Sequence, residues 1–463
     1  VSRELRVTNT LSFSRDSRPK TPMPDQVILL SVPGLRRQDL LHMPRLQSLV
    51  GEGDCGELVP SFPAVTCPVQ ANLTTGVPPS EHGVVANGTY ARSEQQVEMW
   101  TAPNTCIDRP QLWDIMHRHS SALTSAVWFP LHSKECGADY ICTPAPIHNP
   151  DGSESLWCYT RPEQLYGEFL ESYGHFPLHH FWGPAANIKS TAWIVDSAIQ
   201  AAQKFRPNLF YLYLPHLDYA AQKHGPDSDA ARQALTELDA EIGKLATGFA
   251  AAYTGAHPLW LVASEYVVTP TDHVSYPNRV LRAAGLLAVR EAADGEHLDF
   301  AASRAWAMVD HQCAHVFVRD SDVATIQQTA QLLAQQPGIA EVLTRADFDR
   351  YDISHSNSGD LITISTPNSW QAYYWWLDDD NAPAYARTVD IHRKPGYDPV
   401  EMYWDPVAKG IPLDPALVQG SHGAPAVTPE QRGVLLSSER GVFVERPLAD
   451  TDVADIVLRQ FGI

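Results

Sequence analysis

Read for polarity alone, the chain alternates between two textures. Short unbroken apolar runs, QVILLSV (26–32), NLFYLYL (208–214) and PLWLVAS (258–264), offer no polar face. That is the pattern of strands covered on both sides in a parallel sheet. Between them, apolar residues recur every three or four positions. The clearest helix carries Leu235, Leu238, Ile242, Leu245 and Phe249 on one face. DLLHMPRLQSLVGEG (39–53), with Pro44 marking its start, TAWIVDSAIQAAQKF (191–205) and the closing VADIVLRQFG (453–462) read the same way. CGELVP (55–60) is a short strand, and LWDIMHRH (112–119) with LTSAVWF (123–129) is a further helix and strand. Strands alternating with helices predict an α/β fold, a mostly parallel central sheet with helices on both faces. Ligands then gather at the carboxyl ends of strands. Thr66, Asp218 and Glu265 each follow such a strand.

Two stretches break the pattern. Residues 130–188 are rich in Pro, Cys, His and Trp without periodicity, and are expected to be an insertion lying over one end of the sheet. From about 277 to 400, NRVLRAAGLLAVR, AHVFVRD and DVATIQQTAQLLAQQ predict a second, α+β insertion capping the main domain, in which LITIST and WQAYYWW are paired strands. TVDIHRKPGYDPVEMYWDP has no clear element type. Residues 1–25, polar and Pro-flanked, form an arm ahead of a single domain over 26–463.

The stretch PSFPAVTCPVQANLTTGVPPSEHGVVANG (60–88) organises the rest. Pro60 to Pro63 keep the backbone extended, Pro68 suits a first helical turn, and Gly76 with Pro78 and Pro79 ends the helix. Thr66 therefore stands where an extended segment becomes a helix start, and the unpaired N–H groups there favour a bound anion. On spacing alone the N-cap reading is the preferred one.

Composition narrows the partners. The 463 residues are 44% hydrophobic and carry a net charge of −20. That is a globular acidic protein and excludes a nucleic acid polymer as the expected partner. The seven cysteines are odd in number and include no CxxC, so free thiols in a reducing compartment are expected, with a bridge among Cys106, Cys136, Cys142 and Cys158 as the alternative. VSRELRVTNTLSFSRDSRPKTPMPD has no apolar leader segment and no run approaches a membrane span, so the expectation is a soluble, cytoplasmic protein with no membrane partner. The pattern does not fix an oligomeric state.

FPAVTCP followed by TTGVPPSEHGVVANG resembles the nucleotide pyrophosphatase/phosphodiesterase branch of the alkaline phosphatase superfamily. The resemblance implies an alkaline phosphatase-like fold, a small phosphorylated or otherwise anionic substrate, and Thr66 as both nucleophile and metal ligand, with His82–Gly83 closing the run. It implies two zinc ions held by Asp and His side chains at strand ends. Carried over singly, those positions are altered. Pro33 stands for an Asp; Asp218 in LPHLDYAAQKHGP matches, but Gln222 replaces a His; Glu265 replaces an Asp and Tyr266 a His; His422 in GSHG matches. LPHLDYAAQKHGP, SEY, DHQCAH and VDIHRKPGYDP resemble a bacterial branch sharing this altered set.

The resulting expectation is a hydrolase of a phosphate, phosphonate or related ester, working through Thr66, Glu265 and His422 in a rebuilt site with one divalent ion rather than two. Zinc is expected ahead of manganese or magnesium. The candidate ligands are Thr66, Asp218, Glu265, His422, His216 and His311, and the candidate substrate contacts are Asn87, His82, Lys223 and Arg393. Arg36, Arg37, Lys223, Arg393 and Lys394 are candidates to replace the charge of a missing ion. The competing readings are a binding protein that keeps the anion cradle without turnover, and metal-free acid–base chemistry by Glu265, His311 or His422.

Overall fold

The computed structural model describes residues 26–148, 154–444 and 446–463; the predicted arm at 1–25 lies outside them. The chain builds a nine-stranded sheet. In sequence order its strands are β1 (Val27–Ser31), β2 (Cys55–Val59), β3 (Ser125–Trp128), β4 (Tyr140–Pro144), β5 (Cys158–Arg161), β6 (Leu209–Tyr213), β7 (Leu259–Ala263), β12 (Gly433–Ser437) and β13 (Leu448–Ala449). Across the sheet they run β13-β2-β12-β7-β1-β6-β3-β4-β5. All point one way except β5 and β12, which pair antiparallel with their neighbours.

The apolar runs fall where expected because each is covered twice. In β1, Ile28 and Leu30 face a core shared with α2 (Ile188–Phe205) and α4 (Asp229–Ala252), whose stripe from Leu235 to Phe249 is buried there. Val27 and Leu29 face the opposite core, with α1 (Thr66–Thr75) and α6 (Asp452–Arg459). The sheet is thus the middle of three layers, as the pattern predicted.

Residues 130–188 differ from expectation. They add β4 and β5 to the sheet instead of only lying across its end. The strands are short, with only Ile141, Cys142 and Thr143 fully buried in β4, so no long apolar run announces them.

Between β7 and β12 the chain builds a second, antiparallel sheet in the order β8-β9-β11-β10. Its strands are β8 (Ala305–Asp310), β9 (Cys313–Val318), β10 (Ile339–Thr344) and β11 (Leu361–Ser365), with α5 (Val323–Ala334) packed against it. LITIST and WQAYYWW do not pair with each other. Ser369–Gln371 instead runs parallel to His273–Ser275, and Tyr373 to Trp376 leave strand geometry to bury four aromatic side chains in this unit's own core. The seven cysteines are free thiols. Among the described residues no helix is long and apolar enough to cross a membrane.

Candidate active site

Four carboxyl-edge segments converge. β2 leads through Pro60–Val65 into α1, whose ten residues are all buried and whose first is Thr66. The chain leaves β6 into α3 (His216–His224), which carries Asp218 and Gln222 on one flank. It leaves β7 through Ser264, Glu265 and Tyr266. The fourth segment, Gly420–Gly423, returns from the second sheet and brings His422; Ala64 N–H donates to Gly423 O (3.2 Å), which ties it to the approach to Thr66.

The side chains form one connected cluster. Thr66 Oγ1 lies 3.1 Å from the Tyr266 hydroxyl. The Tyr266 ring lies flat on the His422 imidazole, centroids 3.6 Å apart and planes 5° apart. His422 Nδ1–H donates to Ala64 O (2.8 Å), which leaves Nε2 as a bare lone pair 3.8 Å from Asp218 Oδ1. Neither of those two buried atoms has a hydrogen-bond partner. The other Asp218 oxygen accepts from Gln222 Nε2 (2.8 Å), and Gln222 Oε1 accepts from Tyr397 (2.7 Å). His311, held by Asp310 (2.7 Å), stacks on Tyr397 at 3.6 Å and reaches to 3.9 Å from His422. Tyr266, His422, His311 and Tyr397 thus form a column of rings. His311 enters it from the tight β8–β9 hairpin with a left-handed backbone (φ 61°), a conformation uncommon for a residue with a side chain.

Burial sets the protonation of this cluster. It pushes Glu265 up to about 8, against hydrogen bonds from Ser31 and Gln70 that oppose the shift, so Glu265 is a neutral acid at pH 7. Burial likewise raises Asp218 to about 7 and Asp310 to about 6. It holds the His422 and His311 pKa values well below the usual imidazole range, so both rings are neutral.

The sequence matches the family model for type I phosphodiesterase / nucleotide pyrophosphatase over residues 27–398. The chain belongs to that family. An uncharacterized pyrophosphatase/phosphodiesterase of Schizosaccharomyces pombe is 25% identical over 253 residues, 53% of this chain; the match spans 45% of that protein, about half its length. Among solved structures, phosphonoacetate hydrolase from Sinorhizobium meliloti aligns at a TM-score of 0.60 and 16% identity, covering 98% of this chain and all (100%) of that one. Murine ectonucleotide pyrophosphatase / phosphodiesterase 5 aligns at 0.61 and 12%, covering 95% of each chain. At these identities the likeness is one of fold, and it is the alkaline phosphatase-like fold that the sequence motifs implied.

Against that family background, the ion implied by the resemblance can be tested on the donors present. Pro33 has no ligating side-chain atom. Gln222 turns its amide N–H to Asp218, and its oxygen is occupied by Tyr397. Tyr266 puts a ring against His422 where a further donor would have to stand. Among the described residues no three His, Cys, Asp or Glu side chains are grouped closely enough to hold an ion. Asp218 Oδ1 and His422 Nε2 make a pair, whereas a catalytic zinc rests on three protein ligands. The donor set does not fit the ion.

The structure gathers Thr66, Asp218, Glu265, His422 and His311 and places the other candidates elsewhere. His216 lies on the far flank of α3, bonded to Glu237 of α4 (2.8 Å), and lines a separate groove of about 260 Å³ together with Lys223. Lys223 sits over the Tyr403 ring. Arg393 is exposed and paired with Asp390. His82 is fully buried, its Nε2 bonded to Asn72 Oδ1 (2.6 Å) and its Nδ1 accepting from Val84 N–H (3.1 Å), so it braces the helix instead of facing a substrate. Asn87 is also internal: its Oδ1 caps Cys67 N–H (2.9 Å) and its amide donates to Asp310 (2.9 Å). One of the helix-start N–H groups expected to grip an anion is therefore already occupied. Of the proposed charge replacements, Arg36 is committed to Asp39 and Asp227, Lys394 is buried between Asp398 and Glu401, and Arg37 points to solvent. Tyr397 and Gln70 were not expected in the cluster. Each is joined to it by a contact between distant segments, which local spacing does not show.

Proposed function

We propose that the protein hydrolyses a small phosphate, pyrophosphate or phosphonate ester with Thr66 as nucleophile. The supporting observation is the Thr66 hydroxyl at the start of α1, bonded to Tyr266, whose ring stacks on the His422 that pairs with Asp218, the facing Nε2 and Oδ1 atoms having no other partner. Thr66 Oγ1 attacks phosphorus, its bond to phosphorus forms, and the bond to the leaving oxygen breaks. The Thr66 proton leaves along its hydrogen bond to Tyr266, which passes its own proton on to the Asp218–His422 pair, and the leaving oxygen recovers a proton from that pair or from water. Water then cleaves the phosphoryl-threonine and regenerates the hydroxyl. A carboxyl group raised to about 7 suits such shuttling near neutral pH.

Binding without turnover remains the second reading, favoured by the donor set that does not close around an ion. Thr66→Val keeps the shape and removes the hydroxyl. Loss of turnover with an unchanged melting temperature is expected; activity surviving that change would make Thr66 structural only. Bis(p-nitrophenyl) phosphate, which offers no remote contacts, is expected to turn over slowly, since remote binding energy is what a specific substrate contributes to catalysis. Wild-type protein that binds a phosphate ester tightly and never cleaves it would favour the second reading.

A further inference from the structure

Tyr266 is fixed from three sides. Its ring is stacked on His422, its backbone carbonyl accepts from Gly34 N–H (2.9 Å) and from the Ser264 hydroxyl (3.0 Å), and it is 1% exposed. A tyrosine held this way can place its hydroxyl in one spot, and that spot is 3.1 Å from Thr66 Oγ1. A phenol has one proton to donate. Either hydroxyl can donate across that contact, and when Thr66 donates, the phenol's own proton turns away from the threonine. In that arrangement the Thr66 proton points at Tyr266 and the threonine lone pairs are free to face a phosphorus atom.

We propose that Tyr266 is the positioning residue for the nucleophile, selecting the Thr66 rotamer and proton direction that permit attack. The inference rests on the reading of Thr66 as nucleophile. It also bears on the misfit with an ion: Tyr266 stands where the resemblance places a His ligand, so the residue that orients Thr66 is the one that leaves the Asp218–His422 pair without a third donor. In this chain a protein hydroxyl orients the attacking oxygen. Tyr266 takes up the threonine proton as it gives up its own and is left unchanged; the heavy-atom bonds made and broken are those of Thr66 with phosphorus and of phosphorus with the leaving oxygen.

The test compares Tyr266→Phe, Thr66→Val and the double variant on bis(p-nitrophenyl) phosphate and on the p-nitrophenyl ester of thymidine 5′-monophosphate. Tyr266→Phe keeps the stack on His422, so the melting temperature should hold. Its kcat should fall by about 10²-fold, the scale of losing one preorganised hydrogen bond at a reacting oxygen, with KM little changed. The double variant should be no worse than Thr66→Val, because both substitutions act on one hydroxyl. A Tyr266→Phe variant with wild-type kcat, while Thr66→Val is dead, overturns the role of Tyr266 and leaves the nucleophile standing. Where turnover is too slow to measure, orthovanadate replaces the substrate, since it forms a five-coordinate ester with an attacking hydroxyl. Wild type should bind vanadate more tightly than inorganic phosphate, and both single variants should lose that preference. A preference retained by Tyr266→Phe but lost by Thr66→Val overturns the inference alone; no preference in the wild type overturns it together with the nucleophile.

Discussion

His82 and His315 are each fixed as one neutral tautomer. Val84 N–H donates to His82 Nδ1, so its Nε2 carries the proton bonded to Asn72; Gly359 N–H donates to His315 Nδ1, so its Nε2–H points to Val85 O. Burial lowers their pKa values to about 3 and about 4. The sign follows: both folded values lie below the unfolded one near 6.5, so the unfolded chain binds more protons in between. Their contribution is present above pH 6.5 and is lost as pH falls toward 4 and then 3. Each pKa unit is worth about 1.4 kcal/mol. Asp218, Glu265 and Asp310, raised by burial, act in the opposite sense over the same range, so the histidine share is read by difference: His82→Gln should be less stable than wild type at pH 7, and chemical denaturation at pH 7 and pH 4.5 should show that gap shrinking on acidification. Sequence reading placed His82 and Asn87 against a substrate because they belong to the nucleophile motif. Motif membership reports that a residue matters, and does not tell a brace from a contact. Tyr266 erred the other way: it read as a lost ligand because its partner His422 lies far along the chain.

At the scale of elements, α3 is held by the strap that follows the second sheet. Gln419 N–H donates to Gln222 O (2.9 Å), and a Cβ on Gly420 would stand 2.4 Å from Ala221 O. That approach admits only glycine, and it spaces Asp218 against His422. Gly420→Ala must push strap and helix apart; it should cost about 1–3 kcal/mol, as overpacking does, and lower kcat more than it lowers the melting temperature. Activity that tracks stability alone would show that the spacing does not govern the chemistry. The main strands were legible because β1, β6 and β7 are buried on both faces and so have unbroken apolar sequence. β4 and β5 were hidden in an irregular stretch, and the WQAYYWW segment imitates a strand while serving as an aromatic plug.

For the whole molecule, the net charge of −20 opposes the approach of any anionic substrate. Salt screens that repulsion, with a Debye length of about 8 Å at physiological strength. For a phosphate ester, kcat/KM should therefore rise on going from low to physiological salt while kcat stays level; a falling kcat/KM would reveal a local cationic entry that outweighs the global charge. The convergence of Thr66, Asp218, Glu265 and His422 was legible from strand ends and motif alone. The ring column was not, because His311 and Tyr397 come from a unit whose sheet had no clean periodic signature.

The position of β12 bears on how the protein is made. β2 pairs only with β12 and β13, the last strands of the chain, and β12 is threaded between β2 and β7. While the polypeptide is still leaving the ribosome, β2 and the Thr66 helix behind it have no sheet partner until residues 433–449 have emerged. Thr66, encoded early, is locked late. A nascent chain stopped short of Gly433 lacks both strands that pair with β2, so incomplete products leave that helix unanchored and present an unpaired strand edge to quality control.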